Sequence, residues 1–523
     1  MSCPSTRPDE RNEPAMTRIL TAAALLTLAF SAHAADPERW KDPKPNLPDL
    51  SVRFIQREPR FKGTKVDWIN LDEPNGNKGN PASSPIVNAK EQKWPKKGQE
   101  VTFTAHVRNA GPVATPRFDW YWVIDGKDVT GPAANGWVES LAPGEEKSFI
   151  IKWRWKTGRH WVAFETNRGR KFDEITFKNN ALCDATDALS FAFFVQPQLY
   201  DWFANVKSGF DSYSWDDWAQ YQVAEMNRTF RDEIHPATPN GIDVRVRLDR
   251  IEFLPRDFND PGGMHTPEGE NNVDGGNDGV WGFTIGYLEK DETGKNVYER
   301  IPHWITGVEW SLLHELGHQL GQPDYYLLPI SAKNNAALPG VIYNPPSWFQ
   351  DQMMFSGNYS HDSKIGQGKG VWDSGYRFWE EAAARAYNRE PTLRRGFFGN
   401  FLTDVPATNT FVVLGDDNKP LTDAKVALHV AISREYGNGR FDAQPDFTGT
   451  TDADGKWSLN RSPWRVIMNW TSNGAIQFIV TPKEGEQRVG FLNICDFNLA
   501  YWRGHTKNAT LYVVTKKVSE VRK

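Results

Sequence analysis

The sequence predicts a multidomain chain in which an antiparallel β-sandwich precedes a mixed α/β domain and a second β-sandwich closes the molecule. Three observations predict it. Strand after strand with period-two alternation and turn signals fills residues 50–195. Near Gln196 a near-helical period takes over, followed by further strand and helix patterns, and from about residue 405 alternation returns with hairpin signals. A length of 523 residues accommodates three cores of ordinary size.

Taken in order, the chain begins with a leader, residues 1–34. "MTRILTAAALLTLAFSAHA" carries Arg18, an apolar stretch from Ile19 to Phe30 and small residues at Ala32 and Ala34. That is the pattern of an export signal, and it is too short to span a bilayer. Met16 is therefore the expected start and Ala35 the first mature residue, with residues 35–49 as a Pro-rich linker. The expectation is an exported protein, periplasmic or extracellular, without a membrane span. A net charge of -5 and the lack of a long basic run speak against a nucleic-acid partner. Of the three cysteines, Cys183 and Cys495 belong to the mature chain. They either pair with each other or remain as two buried thiols, and Cys183, just ahead of the central domain, could also cap a metal as a latency thiolate.

Residues 50–195 read as the first sandwich. "EVTFTAHVRNAG" turns Val101, Phe103, Ala105 and Val107 to one side, and "KSFIIKWRW" alternates Phe149, Ile151, Trp153 and Trp155 with polar neighbours. The 22 tryptophans are expected mainly between sheets, stacking on sugars being the alternative. Residues 196–404 read as the α/β domain. "SWDDWAQYQVAEMNRTFRDEI" is a helix with Ser214 or Asp216 as cap, "GIDVRVRLDRIEFL" and "VWGFTIGYLE" are strands, and a Gly/Asn/Asp-rich loop runs from Asp257 to Gly279. Neither the acidic residues of that loop nor Asp452 and Asp454 have the spacing of a calcium loop, so calcium has no support and the Asp454-Gly455 pair reads as a hairpin turn. Residues 405–523 form the second sandwich.

One stretch carries chemistry. "HELGHQLGQPDYY" places His314 and His318 one helical turn apart, so both imidazoles share a face, with Glu315 beside the first. Thr306 and Glu309 suit a capping box and Gly321 a left-handed stop, which predicts a helix over 307–320 anchored by Val308, Leu312, Leu313, Leu316 and Leu320. Gly321 allows the chain to reverse and bring Asp324 back towards a cation held by the histidines. Two imidazoles, a carboxylate and one open position suit Zn2+, with Glu315 placed to take a proton from water. Chance assembly of H-E-x-x-H-x-x-G-x-x-D in such a chain is about 10⁻⁴.

Several resemblances follow. His314, Glu315, His318, Gly321 and Asp324 resemble the metzincin zinc-peptidase signature in its aspartate variant, as in immune-inhibitor-A-like and snapalysin-like peptidases. "FQDQMMFSGNY" looks like the methionine turn of that family, which implies Met354, or else Met353, beneath the metal. "VRNAG", "VIDGKDV" and "GRHWVAFE" resemble the CARDB type of immunoglobulin-like domain, and "GDDNKPLTDAKVAL" with "TDADGKWSL" resembles a transthyretin or carboxypeptidase-regulatory domain. Together they imply an N-terminal Ig-like β-sandwich, a central α/β (α+β) zincin-like metallopeptidase domain and a C-terminal transthyretin-like β-sandwich. Glu315 would be the catalytic acid and base, and His314, His318 and Asp324 the zinc ligands. The family's tyrosine two residues after the turn methionine is replaced by Ser356, leaving Tyr359, Tyr325 or Tyr326 for the oxyanion. A rival geometry takes the third ligand from Glu380 or Glu381 on a later helix. The expected function is peptide-bond hydrolysis of extracellular proteins, its carboxylate-ligated metal favouring an optimum near or above pH 7. A non-catalytic adhesion or glycan-binding protein that contacts a cell surface through its flanking domains is the alternative. Oligomeric state is not legible.

Overall fold

The alternation in "EVTFTAHVRN" is realised side chain by side chain: Val101, Phe103, Ala105 and Val107 are fully buried and the residues between them are not. The computed structural model describes residues 42–58, 67–68, 85–86, 95–258, 265–266, 269–270, 278–283, 307–322, 325–346, 352–355, 378–389, 404–433, 439–464 and 474–522. In the first sandwich the strands run β1 (Leu50–Glu58), β2 (Glu100–Asn109), β3 (Phe118–Ile124), β4 (Glu146–Arg154), β5 (Trp161–Thr166) and β6 (Ala181–Ala185). One sheet has the order β1-β2-β4 and the other β6-β5-β3, extended beyond β3 by short strands at Lys127–Asp128 and Asn135–Val138. Aromatic rings join the layers. Trp120 of β3 meets Phe149 of β4 at 4.7 Å, and Phe149 meets Phe164 of β5 at 4.9 Å. Burial is the rule for the indoles here, but Trp137 is 52% exposed, with the cations of Arg117 and Lys171 over its ring.

The next strand departs from the expected boundary. Leu189–Val195 (β7), assigned by alternation to the first sandwich, is the middle strand of a separate parallel sheet, flanked by β8 (Val246–Phe253) and β9 (Asp278–Phe283) in the order β8-β7-β9. All seven residues of "LSFAFFV" are buried. A central parallel strand is covered on both faces, so it shows a continuous apolar run, and alternation has nothing to report. The sandwich strands thus end at Ala185, not Val195. Between β7 and β8 lies the long helix α1 (Trp215–Asp232), which buries Trp215, Trp218, Val223, Met226 and Phe230. Ser214 is its N-cap by position but makes no side-chain cap bond.

Helices α2 (Trp310–Gln319) and α3 (Glu381–Arg389) complete the central region. The final unit comprises β10 (Thr408–Leu414), β11 (Lys425–Val430), β12 (Phe447–Thr450), β13 (Lys456–Leu459), β14 (Ala475–Thr481), β15 (Arg488–Asn493), helix α4 (Ile494–Trp502) and β16 (Asn508–Lys517). Its sheet order is β12-β11-β14-β15-β16-β10-β13, antiparallel except for β10 with β16. Strand β16 serves two layers, its first residues pairing with β10 and its last three with β15. Phe411 of β10 therefore faces Phe478 of β14 at 4.9 Å. The Asp454-Gly455 region is a plain turn: Asp452 Oδ1 accepts the N–H groups of Asp454 and Lys456, and Lys456 Nζ bonds Asp454. Of the Asp257–Gly279 loop, Asp260 and Asp274 lie outside the described residues. Cys495 is a buried free thiol, so the Cys183–Cys495 bridge is not formed. One continuous apolar core runs from β7 and α1 through α2 and α3 into Phe411, Phe478 and Val513.

Where the first sandwich meets α1, two carboxylates are buried together. Asn179 Nδ2 donates to Asp49 Oδ1 (3.1 Å) and to Asp217 Oδ2 (2.8 Å), and Ser51 Oγ donates to Asp217 Oδ1 (2.5 Å). Burial pushes Asp217 up to about 6; burial, and then the Asp217 charge, hold Asp49 well above the usual carboxylate range. Lys44 offsets this at Asp49 and Glu174 adds to it, while Asp216 beside Asp217 is paired with Arg53 (2.6 Å). On the opposite edge Asp184 is pushed up to about 7, by burial first. An acid whose folded pKa is raised holds a proton that the unfolded chain, titrating near pH 4, has released. Stability therefore falls as pH rises from about 4 through 6 and beyond. The melting temperature should be lower at pH 8 than at pH 5. Asp49→Asn should raise the pH 8 value by at least roughly 2 °C and reduce the fall. A pH 8 melting temperature equal to or above that at pH 5 would contradict the assignment.

Candidate metal centre

Helix α2 begins against α1. Gln222, fully buried in α1, accepts the Glu309 N–H (2.8 Å) and gives its amide to the Gly307 carbonyl (3.1 Å). Thr306 of the expected capping box lies outside the described residues. A glutamine 87 residues away in sequence gives no local signal, so this clamp is illegible in the helix itself. Leu312, Leu313, Leu316 and Leu320 are buried as the pattern requires.

The helix ends in a double reversal. Gly321 has φ 101°, its N–H reaches His318 O (2.9 Å), and the Gln322 N–H reaches back to Gly317 O (3.1 Å). This is a Schellman stop, and it needs the left-handed residue that glycine provides. The reversal also carries chemistry, because the Gln322 carbonyl it brings round lies 2.7 Å from His318 Nδ1. His314 Nδ1 is 2.9 Å from the Met353 carbonyl. A carbonyl oxygen can only accept, so each ring carries a proton on Nδ1, which leaves Nε2 as the nitrogen that can bind a metal. Both rings are buried, their centroids 4.8 Å apart and nearly perpendicular. Glu315, half-buried, brings Oε2 to 4.0 Å from His318 Nε2. Ligand atoms of His314, Glu315 and His318 all lie within 4.8 Å of one another.

Beneath the helix lies the methionine pair. Met353 and Met354 are both fully buried; Met353 supplies the carbonyl for His314, and Met354 supplies its sulfur to the underside of Gly317. A Cβ at Gly317 would stand 2.8 Å from Met354 Sδ and 3.1 Å from the Trp379 ring. The glycine inside "HELGH" is thus a packing requirement that no motif reading singled out. The turn is held by Met353 N–H to Phe378 O (2.7 Å) and by Tyr325 N–H to Met354 O (2.9 Å).

Asp324 lies outside the described residues, as do Ser356 and Tyr359. The rival carboxylates are engaged elsewhere. Glu380 is buried and caps α3, accepting the N–H groups of Ala382 (2.9 Å) and Ala383 (2.8 Å). Glu381 Oε1 accepts from Ala237 N–H (2.9 Å) and Arg503 (3.0 Å). Neither joins the histidine cluster among the described residues. Of the tyrosines, Tyr325 is fully buried, whereas Tyr326 is half-buried and stacks on His314 at 6.0 Å.

The donor set fits zinc: two imidazoles, each aligned by a backbone carbonyl at Nδ1, with a carboxylate close by.

Residues 85–184 match the CARDB family model. They form a CARDB domain. Among solved structures, the CARDB domain of a Pyrococcus furiosus protein in complex with di-metal ions is 17% identical, covering 27% of this chain and 89% of that one, with a TM-score of 0.18. Catechol 1,2-dioxygenase from an Acinetobacter species is 13% identical over 21% of this chain and 52% of its own, with a TM-score of 0.13. A Bacteroides uniformis β-glucuronidase is 10% identical over 80% of this chain and 60% of its own, with a TM-score of 0.17. No curated protein matches the chain. The CARDB match starts inside the expected first sandwich and ends within one residue of Ala185, in keeping with β7 lying outside it.

Gly317 affords a direct check of the packing. In an exposed helix Gly→Ala is stabilising by about 1 kcal/mol. Here Gly317→Ala should instead destabilise by about 1–3 kcal/mol through overpacking against Met354 and Trp379, read as a lowered denaturation midpoint. A raised midpoint would show that the methionine does not sit under the helix.

Proposed function

We propose that this chain is an exported zinc-dependent endopeptidase in which His314, His318 and Asp324 hold the metal and Glu315 is the general base and acid. One observation carries the reading. Two buried imidazoles share a helix face with Nδ1 of each turned to a backbone carbonyl, and a ring nitrogen of each lies with a Glu315 carboxylate oxygen within 4.8 Å of one another. A polar helix face with no such role would leave its histidines in water. Here both rings are buried instead, each held by a backbone carbonyl at Nδ1.

Zinc bound there would supply Lewis acidity, polarising a peptide carbonyl and making water a stronger acid. The rest falls to the chain. Glu315, more accessible than either histidine, takes the proton from the attacking water and hands it to the leaving amine. The Met353 and Gln322 carbonyls keep the rings aligned through the cycle, and the Tyr326 ring covers one side of His314. The Asp324 assignment rests on its place directly behind the Gly321 reversal. Proteins or peptides are the substrates, and the CARDB domain serves as a binding or spacing module.

Purified protein should contain zinc and should cleave casein in a chelator-sensitive way. Glu315→Ala should lower kcat by about 10²–10⁴-fold while zinc stays bound. His314→Ala should lose both zinc and activity. Full activity in Glu315→Ala would refute the role assigned to it. Wild-type protein with neither zinc nor chelator-sensitive cleavage would favour the adhesion reading instead.

A further inference from the structure

The bond between His314 and the Met353 carbonyl joins two separate pieces of chain, and helix α1 grips both of them. Gln222 holds the start of α2 through the Glu309 N–H and the Gly307 carbonyl. About two to three turns further along the same helix, or roughly 10–16 Å, Thr229 and Glu233 hold the segment behind the methionine turn. There the buried Trp379 N–H donates to Glu233 Oε2 (3.1 Å), and the Trp379 indole N–H donates to Thr229 Oγ1 (3.0 Å). His235 completes the grip, its Nε2 lying 2.7 Å from the Trp379 carbonyl and 3.2 Å from Glu233 Oε1. A carbonyl accepts, so this Nε2 carries a proton. Residue 379 thus has its amide, its carbonyl and its ring each bonded to the end of α1, and three bonds to one residue fix its orientation as well as its position.

Trp379 passes that grip to the histidine centre in two ways. Phe378, the residue before it, gives its carbonyl to the Met353 N–H (2.7 Å) and pairs with Gln352 in a parallel bridge. The Trp379 ring itself lies against Gly317 of α2 beside the Met354 sulfur, with Phe230 of α1 at 5.6 Å and Tyr387 of α3 at 5.2 Å. The chain beyond His235 is tied to the same place by the Ala237 N–H, which donates to Glu381 at the start of α3 (2.9 Å).

We propose that the end of α1 sets the metal-binding geometry of His314: Glu233 and His235 are positioning residues that hold Trp379, and through the Phe378 carbonyl the Met353 turn, at the distance from α2 that Gln222 fixes on the same helix. The inference rests on the reading of the centre as a metal site. Metal affinity is sensitive to such alignment because the ring nitrogen must point its lone pair at the ion; losing an outer partner of a ligand weakens binding by about 10–100-fold, and Glu233 and His235 act further out than that.

The test uses the full chain with Glu233→Ala, Glu233→Gln, His235→Ala and His235→Gln. Zinc affinity is measured by competition with a chromogenic chelator, ligand geometry by the visible spectrum of the cobalt(II)-loaded protein, and stability by thermal melting. Each alanine variant should weaken zinc by about threefold to tenfold and alter the cobalt band. Glu233→Gln keeps an acceptor for the Trp379 N–H and His235→Gln a donor for its carbonyl, so both should return affinity and band towards wild type. His235 is only half-buried, and His235→Ala decides the matter should Glu233→Ala fail to fold. If wild-type protein binds zinc and the alanine variants melt earlier yet bind it equally, with an unchanged cobalt band, the pair is a structural tie alone: the positioning role is overturned and the metal site stands. Glutamine variants as weak as the alanine ones would overturn the role as well. If wild-type protein takes up neither ion, the metal site falls, and the positioning role with it.

Discussion

A single hydrogen bond, from His314 Nδ1 to the Met353 carbonyl, governs how the central domain is put together. To be made at all it requires a helix and a remote turn to arrive within 2.9 Å of each other. The helix is brought there by its leucines and by Gln222 at its start. The turn is brought there by Phe378 on one side and Tyr325 on the other. Gly317 lets the two approach, since any larger residue would fill the space the Met354 sulfur occupies. The counterpart at His318 is local, formed by the same glycine reversal that ends the helix. One imidazole is thus aligned by short-range backbone geometry and the other by tertiary structure. The second is the more vulnerable.

How much of this could be read from the sequence depended on range. Features set within one helical turn were legible: the shared face of His314 and His318, the leucine row, the stop at Gly321. The alternation in β2 and β4 was legible too, because each strand has one wet face and one dry face. What failed was either uniform or distant. Strand β7 is apolar throughout, so its period says nothing, and it was counted with the wrong sheet. Gln222 and Phe378 act on the centre from other elements and have no spacing signature. Glu380 offered itself as a ligand by composition, whereas it faces the α3 backbone it caps. Cysteine counting allowed a bridge from Cys183 to Cys495; the fold puts one in a strand of the CARDB domain and the other, as a buried free thiol, at the start of α4.

The junctions between units differ in kind. The first sandwich meets the central domain through charge: Arg53 pairs with Asp216, and Asn179 bridges Asp49 and Asp217. The central and C-terminal units share one apolar core, with polar contacts such as Arg503–Glu381 and Asn335–Gln477 beside it. A polar junction is specific in geometry but sensitive to protonation, and an apolar one is neither directional nor titratable. The CARDB domain is joined in the way that permits response to its surroundings, and the terminal sandwich in the way that makes two units one.

Strand β16 has a consequence in time. It lies alongside β10 in parallel, so the opening and closing strands of the last unit, some hundred positions apart, must wait for each other. Parallel pairing over such a separation is slow, and no partial chain can substitute for it. While the polypeptide is still emerging, the two imidazoles can already sit on their helix, but the wall behind Tyr325 does not yet exist. Such an ordering leaves the layer that β16 closes with β10 and β15 open until the chain has been made through position 517.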